Sequence, residues 1–209
     1  MRFFYEHRLV YSYLTHFVGN ERVKVTPELR VQMKNFFDTT DFPFLKVLED
    51  GWQDILKEGL ALSEDDLMPY PVEEFYNRGW WVCGLFSVDY PGASAEELEP
   101  WLARNRELCP KTTALVSQLP DNQLAGFSIL EPGCEMEPHV HDDGYHICHL
   151  GLVIPEGSGI KVRDETRVWE AGKCFAFHET AEHYAWNHGE TRRLIFLADF
   201  DPEAVDQDS

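Results

Sequence analysis

The sequence predicts a mainly β fold, a sandwich or jelly roll packed by helices from its N-terminal part. Three observations lead there. After Pro120 the chain breaks into short apolar runs separated by turn residues. Before Pro120, apolar residues recur near helical spacing. The 209 residues, 44% hydrophobic and 13% aromatic, suffice for one large domain with a proper core.

The elements follow in order. Residues 1–43 read as an N-terminal helical extension. Within it, "VTPELRVQMKNFFDTTDFP" has Thr26 as cap and Pro27 in the first turn, so a helix is expected that stops before Pro43. The β domain is expected over residues 44–203, and residues 204–209 form an acidic tail. "FLKVLEDGWQDILKEGLAL" sets Phe44, Leu45, Leu48, Trp52, Ile55 and Leu56 near helical spacing. "GWWVCGLFSV" is a β-like run ending near Tyr90-Pro91. "SAEELEPWLARNREL" opens with a capping box, Ser94 to Glu97, which predicts a helix. "KTTALVSQL" is a second short helix closed by Pro120. Then come the strand "LAGFSIL", the turn "EPGCE" and the strand "ICHLGLVIP". "GIKVRDETRVWEAG" reads as a hairpin turning near Asp164-Glu165, and "KCFAFHE", "HYAWNH" and "RRLIFLADF" complete the set.

Composition excludes some partners. A net charge of -19 repels nucleic acid and anionic membrane surfaces. The five cysteines, Cys83, Cys109, Cys134, Cys148 and Cys174, are odd in number and form no CxxC pair, so reduced thiols are expected. The aromatic N-terminus is interrupted by Glu6, His7, Arg8 and His16, unlike a signal peptide, and no stretch reaches membrane-spanning length. A soluble cytoplasmic protein is the expectation.

The chemistry concentrates in "EPHVHDDGYHICHLGLVIPEG", with His139, His141, His146 and His149 close together. His139 and His141, two apart, point to one face of a strand and can converge on one metal. His183, in "ETAEHYAWNH", can return beside them after a jelly-roll excursion. Imidazole suits Fe, Cu, Ni and Zn, and incomplete protein ligation leaves room for substrate or dioxygen. The usual oxygenase set is two histidines and one carboxylate. His141 stands where that acid would be, and Asp142 or Asp143 could serve if the strand is bulged. His7, His16 and His188 read as structural or surface residues, and His178 as one that could line the barrel. A second feature is "TRRLIFLADF". Arg193 begins an apolar strand, where a charge is costly to bury unless paired, and its guanidinium fork suits a carboxylate. Arg192 points to the opposite face.

These residues carry a family resemblance. The pieces "EPG", "PH", "HLGLVIP", "ETRVWEAGK", "EHYAW" and "RLIF…D" recur in order, and "CPKTTALVSQLPD" and "LEDGWQDI" extend the match to about Phe44 to Pro202. The stretch resembles the aspartyl/asparaginyl β-hydroxylase family. That resemblance implies a double-stranded β-helix, related to cupins. It implies an Fe(II)- and 2-oxoglutarate-dependent dioxygenase that hydroxylates an unactivated carbon with dioxygen. It implies His139 and His183 as iron ligands, Ser128 and Arg193 on the distal carboxylate of 2-oxoglutarate, and His149 near its other carboxylate. On the residues alone, Ser128 reads as a strand hydroxyl and His149 as a core histidine.

The sequence departs from the family pattern in two places. His141 stands where family members have a small residue, and is a candidate third ligand. The positions before "HLGL" read Tyr145, His146, Ile147 and Cys148, where members acting on protein side chains carry arginines. An amino-acid-like small molecule, free or tethered to a carrier protein, is therefore the expected substrate. Tyr145 and His146 are candidate substrate-binding residues unless Arg78 or Arg104 supplies the missing charge. Two other readings stay open. "GCEMEPHVH" and "HYAWN" also fit cupin spacings, hence a three-His dioxygenase without 2-oxoglutarate; the third reading is a non-catalytic metal- or ligand-binding β-sandwich. Residues 1–43 fall outside the resemblance and could cover the barrel or form a homodimer contact.

Overall fold

A computed structural model describes residues 34–86, 93–141 and 144–202. The helix expected to end before Pro43 falls largely outside them. Its described end is extended instead, as β1 (Phe37–Asp38). The cause is visible in the packing. Phe36 joins the core between the sheets and Phe37 the core on the helical side, and only a strand sends consecutive side chains to opposite faces.

The next helical stretch is two helices, α1 (Lys46–Asp50) and α2 (Trp52–Ala61), broken at Gly51. A side chain at Gly51 would run into Leu115, so the break lets the following helices approach. A short strand, β2 (Met68–Pro69), then pairs with β3 (Trp80–Gly84). The part of the β-like run from Ser87 to Pro91 lies outside the described residues. α3 (Ala95–Leu108) starts at the expected capping box: Ser94 Oγ accepts from Glu97 N at 3.3 Å, and Ser94 N donates to the Glu97 carboxylate at 2.8 Å. α4 (Pro110–Val116) follows, with proline at its first position.

The remaining strands are β4 (Ala125–Leu130), β5 (Cys134–Glu135), β6 (His146–Val153), β7 (Ser158–Val162), β8 (Glu165–Arg167), β9 (Cys174–His178), β10 (His183–Asn187) and β11 (Arg193–Phe200). They form an antiparallel seven-stranded sheet, β1-β9-β6-β11-β4-β3-β2, and a four-stranded sheet, β5-β10-β7-β8. This is the double-stranded β-helix. Sequence neighbours such as β5 and β6 lie in different sheets, as a jelly roll requires.

Two cores flank the large sheet. Leu194, Phe196, Ala198 and Phe200 of β11 face the helices, together with Phe127, Ile129, Cys148 and Leu150. Ile195, with Ile147, Phe175 and Phe177, faces the small sheet. Because both faces are covered, β11 is a nearly unbroken apolar run, its helix-side and inner residues alternating. Gly59 lets α2 approach closely, since a Cβ there would stand 2.6 Å from the Phe127 ring. All five cysteines are free and buried. Among the described residues no helix is long and apolar enough to cross a membrane.

Phe196 is fully buried and meets the Phe127 ring edge-on, centroids 5.1 Å apart. Phe196→Ala is expected to cost about 3–5 kcal/mol, read as a lower midpoint in urea unfolding.

Candidate metal centre

The site begins with a strand that has one residue too many. Glu135 pairs with Trp186, and His139 pairs with His183. Between these pairs the first segment carries one residue more than β10, so a bulge spans Met136 to Pro138. Pro138 has no N–H to leave unpaired there. Beyond the bulge, His139 N donates to His183 O at 3.1 Å and His183 N donates to His139 O at 3.0 Å. This reciprocal pair sets two imidazoles side by side inside the barrel, ring centroids 4.4 Å apart.

Each ring is turned by a local bond. His139 Nδ1 lies 2.8 Å from Glu137 O, and His183 Nδ1 lies 2.8 Å from Ala181 O. A carbonyl only accepts, so both Nδ1 atoms carry the proton and both Nε2 lone pairs are left for a ligand. Phe75 stacks on His139 at 5.0 Å, and Phe177 leans on His183 at 4.8 Å. His141, half-buried, completes the group: one nitrogen from each of His139, His141 and His183 lies within 4.8 Å of the others. Burial holds His139 below the usual histidine range and pushes His183 down to about 3. Neutral imidazoles with fixed tautomers fit a transition metal of the borderline class. Asp142 and Asp143 lie outside the described residues.

The same cavity holds a buried cation. The cavity's volume is about 100 Å³. Arg193, at the start of β11, is 1% exposed and lines it. Its Nη2 donates to Ser128 Oγ at 2.9 Å and Ser128 O at 3.3 Å, and its charge sits over the Trp169 ring at 5.0 Å. Trp80 Nε1 also donates to Ser128 Oγ, at 3.1 Å. Among the described residues Arg193 Nε has no hydrogen-bond partner, and the guanidinium bonds only to Ser128, not to a carboxylate. Burial pushes its pKa down to about 9. His149, beside it, accepts at Nδ1 from Trp169 Nε1 at 3.4 Å, so its Nε2 carries a proton to donate. Burial and the Arg193 charge hold His149 well below the histidine range. An anion with acceptor oxygens fits this end of the cavity.

The structure thus brings His139, His141, His183, Ser128, His149 and Arg193 to one cavity. It does not bring Tyr145 or His146 there. Tyr145 reaches Asp121, its hydroxyl donating at 3.3 Å. His146 lies on the other face of β6, against Phe37, Phe42, Phe200 and His178. Counting along β6 explains it: His149 faces the cavity, and three residues earlier the side chain points the opposite way. His178 shares that helical-side face rather than lining the barrel, and His188 is at the surface with Glu135. Arg78 reaches Gly133 O and Arg104 reaches Asp66, so neither lines the cavity. Arg192 pairs with Glu131 on the far side of its strand. Sequence reasoning missed Trp80, Trp169 and Glu179. The inward alternation of Trp80 with Val82 was the available signal for the first.

The fold and the site together define a double-stranded β-helix protein whose cavity is lined by a cluster of three imidazoles and by a buried guanidinium. The aspartyl/asparaginyl beta-hydroxylase family profile matches residues 49–202. The chain belongs to that family. The human aspartyl/asparaginyl beta-hydroxylase is 32% identical over 176 residues, covering 78% of this chain and 22% of that protein. The ornithine lipid ester-linked acyl 2-hydroxylase of Rhizobium tropici is 37% identical over 101 residues, covering 46% and 36%. The chain therefore spans well under half the length of either relative. Among solved structures, a Pseudomonas putida prolyl-4-hydroxylase is similar at 20% identity, covering 73% of this chain and 86% of that one, with a TM-score of 0.47.

Two measurements follow from the buried imidazoles. His183 and His146 are held neutral by burial, at about 3 and about 4, against an ordinary 6.5. Below pH 6.5 the unfolded chain binds the protons that the native chain refuses. Stability of the metal-free protein is therefore full above pH 6.5 and falls as the pH drops toward 4, by about 1.4 kcal/mol per pH unit for each group. Urea melts at several pH values read the slope. His146 leaves both ring nitrogens without partners in an aromatic nest, so His146→Leu is expected to be neutral or stabilising and to flatten that slope.

Proposed function

We propose that the chain is an Fe(II)- and 2-oxoglutarate-dependent dioxygenase that hydroxylates an unactivated carbon of an amino-acid-like small molecule, free or tethered to a carrier. The observation that carries this reading is Arg193. A buried guanidinium with no carboxylate partner among the described residues lines the cavity that holds the imidazole cluster. A diacid cosubstrate answers both features, one carboxylate on the guanidinium and the other end toward the metal.

His139 and His183 would hold the iron, with His141 as a third ligand from the mouth side. Ser128 and Arg193 would hold the distal carboxylate, and His149 Nε2–H would donate to an oxygen of the cosubstrate. With iron and cosubstrate bound, the centre supplies the oxidant for an unactivated C–H bond, and 2-oxoglutarate leaves as succinate and carbon dioxide. The protein's own part is positioning. Trp80 and Trp169 fix Ser128, His149 and Arg193 before any ligand arrives, so little ordering is left for binding. Ile147, Ile195 and Phe177 exclude water from the walls. The absence of arginine on β6, and the engagement of Arg78 and Arg104 elsewhere, weigh against an acidic protein side chain as substrate.

The third imidazole also suits a three-His dioxygenase that needs no cosubstrate. Anaerobic titration of the Fe(II)-loaded protein with 2-oxoglutarate separates the two. A visible charge-transfer band is expected. Arg193→Ala should weaken 2-oxoglutarate binding by about 30-fold or more, the usual loss at a buried charge pair. A band unaffected by Arg193→Ala, or no band with iron still bound, would overturn 2-oxoglutarate dependence. His139→Ala and His183→Ala are each expected to abolish stoichiometric iron binding, measured by metal content after desalting.

A further inference from the structure

The strand register measures out the cavity. On the inner face of β11, Arg193, Ile195 and Leu197 follow one another in two-residue steps of about 6.6 Å. Ile195 pairs with Ser128 on β4, and Leu197 pairs with His149 on β6. A five-carbon diacid held by Arg193 and Ser128, with its far end at His149, therefore takes the stretch up to Leu197. Past that stretch the next inner residues are Ile147 and Leu124. Ile147 stands two residues before His149 on antiparallel β6, and Leu124 O accepts from Asp199 N at 2.9 Å. Phe177 of β9 pairs with Ile147 and leans on both His149 and His183, ring centroids 5.1 and 4.8 Å away. Leu124, Ile147, Phe177 and Leu197 all line the cavity and make a hydrocarbon patch that borders the imidazoles.

We propose that the substrate presents an uncharged aliphatic segment to this patch, that the carbon to be oxidised belongs to a hydrocarbon side chain of the leucine or norleucine kind, and that Leu124, Ile147 and Leu197 select it. The inference rests on the oxygenase reading and narrows its amino-acid-like substrate to an aliphatic one. Aliphatic carbon gains by leaving water for such walls. A carboxylate or an amide would give up its bonds to water and find neither donor nor acceptor on these side chains. The charges elsewhere on the lining do not replace them: Arg193 is taken by the cosubstrate, and Glu179 already has a partner. The chain's net charge of -19 further disfavours an acid. The patch and the cosubstrate contacts share no side chain, so the two can be varied separately.

The test is calorimetric titration of the whole chain, loaded with Fe(II) and 2-oxoglutarate under anaerobic conditions. The probes are L-leucine and L-norleucine, each against L-asparagine and L-aspartate. All are used as free amino acids and as N-acetylcysteamine thioesters, which mimic a carrier tether. An aliphatic probe is expected to bind at least about tenfold more tightly than its polar counterparts. Leu197→Asn should remove that preference and Leu197→Met should keep it, while both leave 2-oxoglutarate affinity in place. A general loss of structure would weaken both ligands together, so this split separates selection from folding. If Leu197→Asn melts early, Leu124→Asn brings the same polarity to the patch from another part of the chain. Equal or tighter binding of the polar probes, no binding by any aliphatic probe, or a preference that survives both asparagine variants would each overturn the inference. The charge-transfer band is read in the same samples before a probe is added. A missing band removes the oxygenase reading and this inference with it, whereas a band without an aliphatic preference removes the inference alone.

Discussion

His139 and His183 are bound to one another twice through their backbones, and the geometry of the candidate site depends on that reciprocal pair. Two imidazoles on separate strands converge only if the strands are held in one register. A slip by one residue would turn one ring into the barrel and the other toward solvent. The bulge between Glu135 and His139 is what allows the pairing, since without the extra residue His139 would not stand opposite His183. The carbonyls of Glu137 and Ala181 then select the tautomer, so the backbone fixes both the position and the protonation of the rings.

The floor of the cavity follows a different logic. A guanidinium is taken out of water at considerable cost, and Ser128 and the Trp169 ring return only part of it. The remainder is a standing preference for an anion. Such a group is unexplained in a purely structural β-sandwich, where an apolar residue of similar size would serve stability better. The imidazole cluster and the buried cation therefore make sense together.

Much of this was legible in the sequence. The His139-x-His141 pair showed itself through strand periodicity, and Arg193 through a charge at the head of an apolar run. The turn and strand signals after Pro120 located the barrel strands because each run is short and bounded by Gly, Pro or Asp. The misreadings have two causes. The strand at Phe37–Asp38 was hidden because an edge strand of two residues carries no periodicity of its own. His146 was assigned to the substrate because it stands just before "HLGL", where family members carry arginines, although alternation along β6 puts it on the face opposite His149. Ser128 and His149 were visible only through family resemblance. Their roles depend on Trp80 and Trp169, which come from distant positions in the chain.

The two faces of β6 and β11 have separate duties. One face of each carries His149 or Arg193 into the cavity, and the other carries Leu150 or Phe196 into the packing under the helices. Point changes on the inner face can thus retune chemistry without disturbing the helical layer, and the reverse holds for the outer face. An insertion or deletion within either strand has no such freedom, because it exchanges the two sets at a stroke. Length variation among descendants of this chain must therefore be confined to the turns, and divergence of substrate should be written in substitutions along the inner face and in the loops at the mouth.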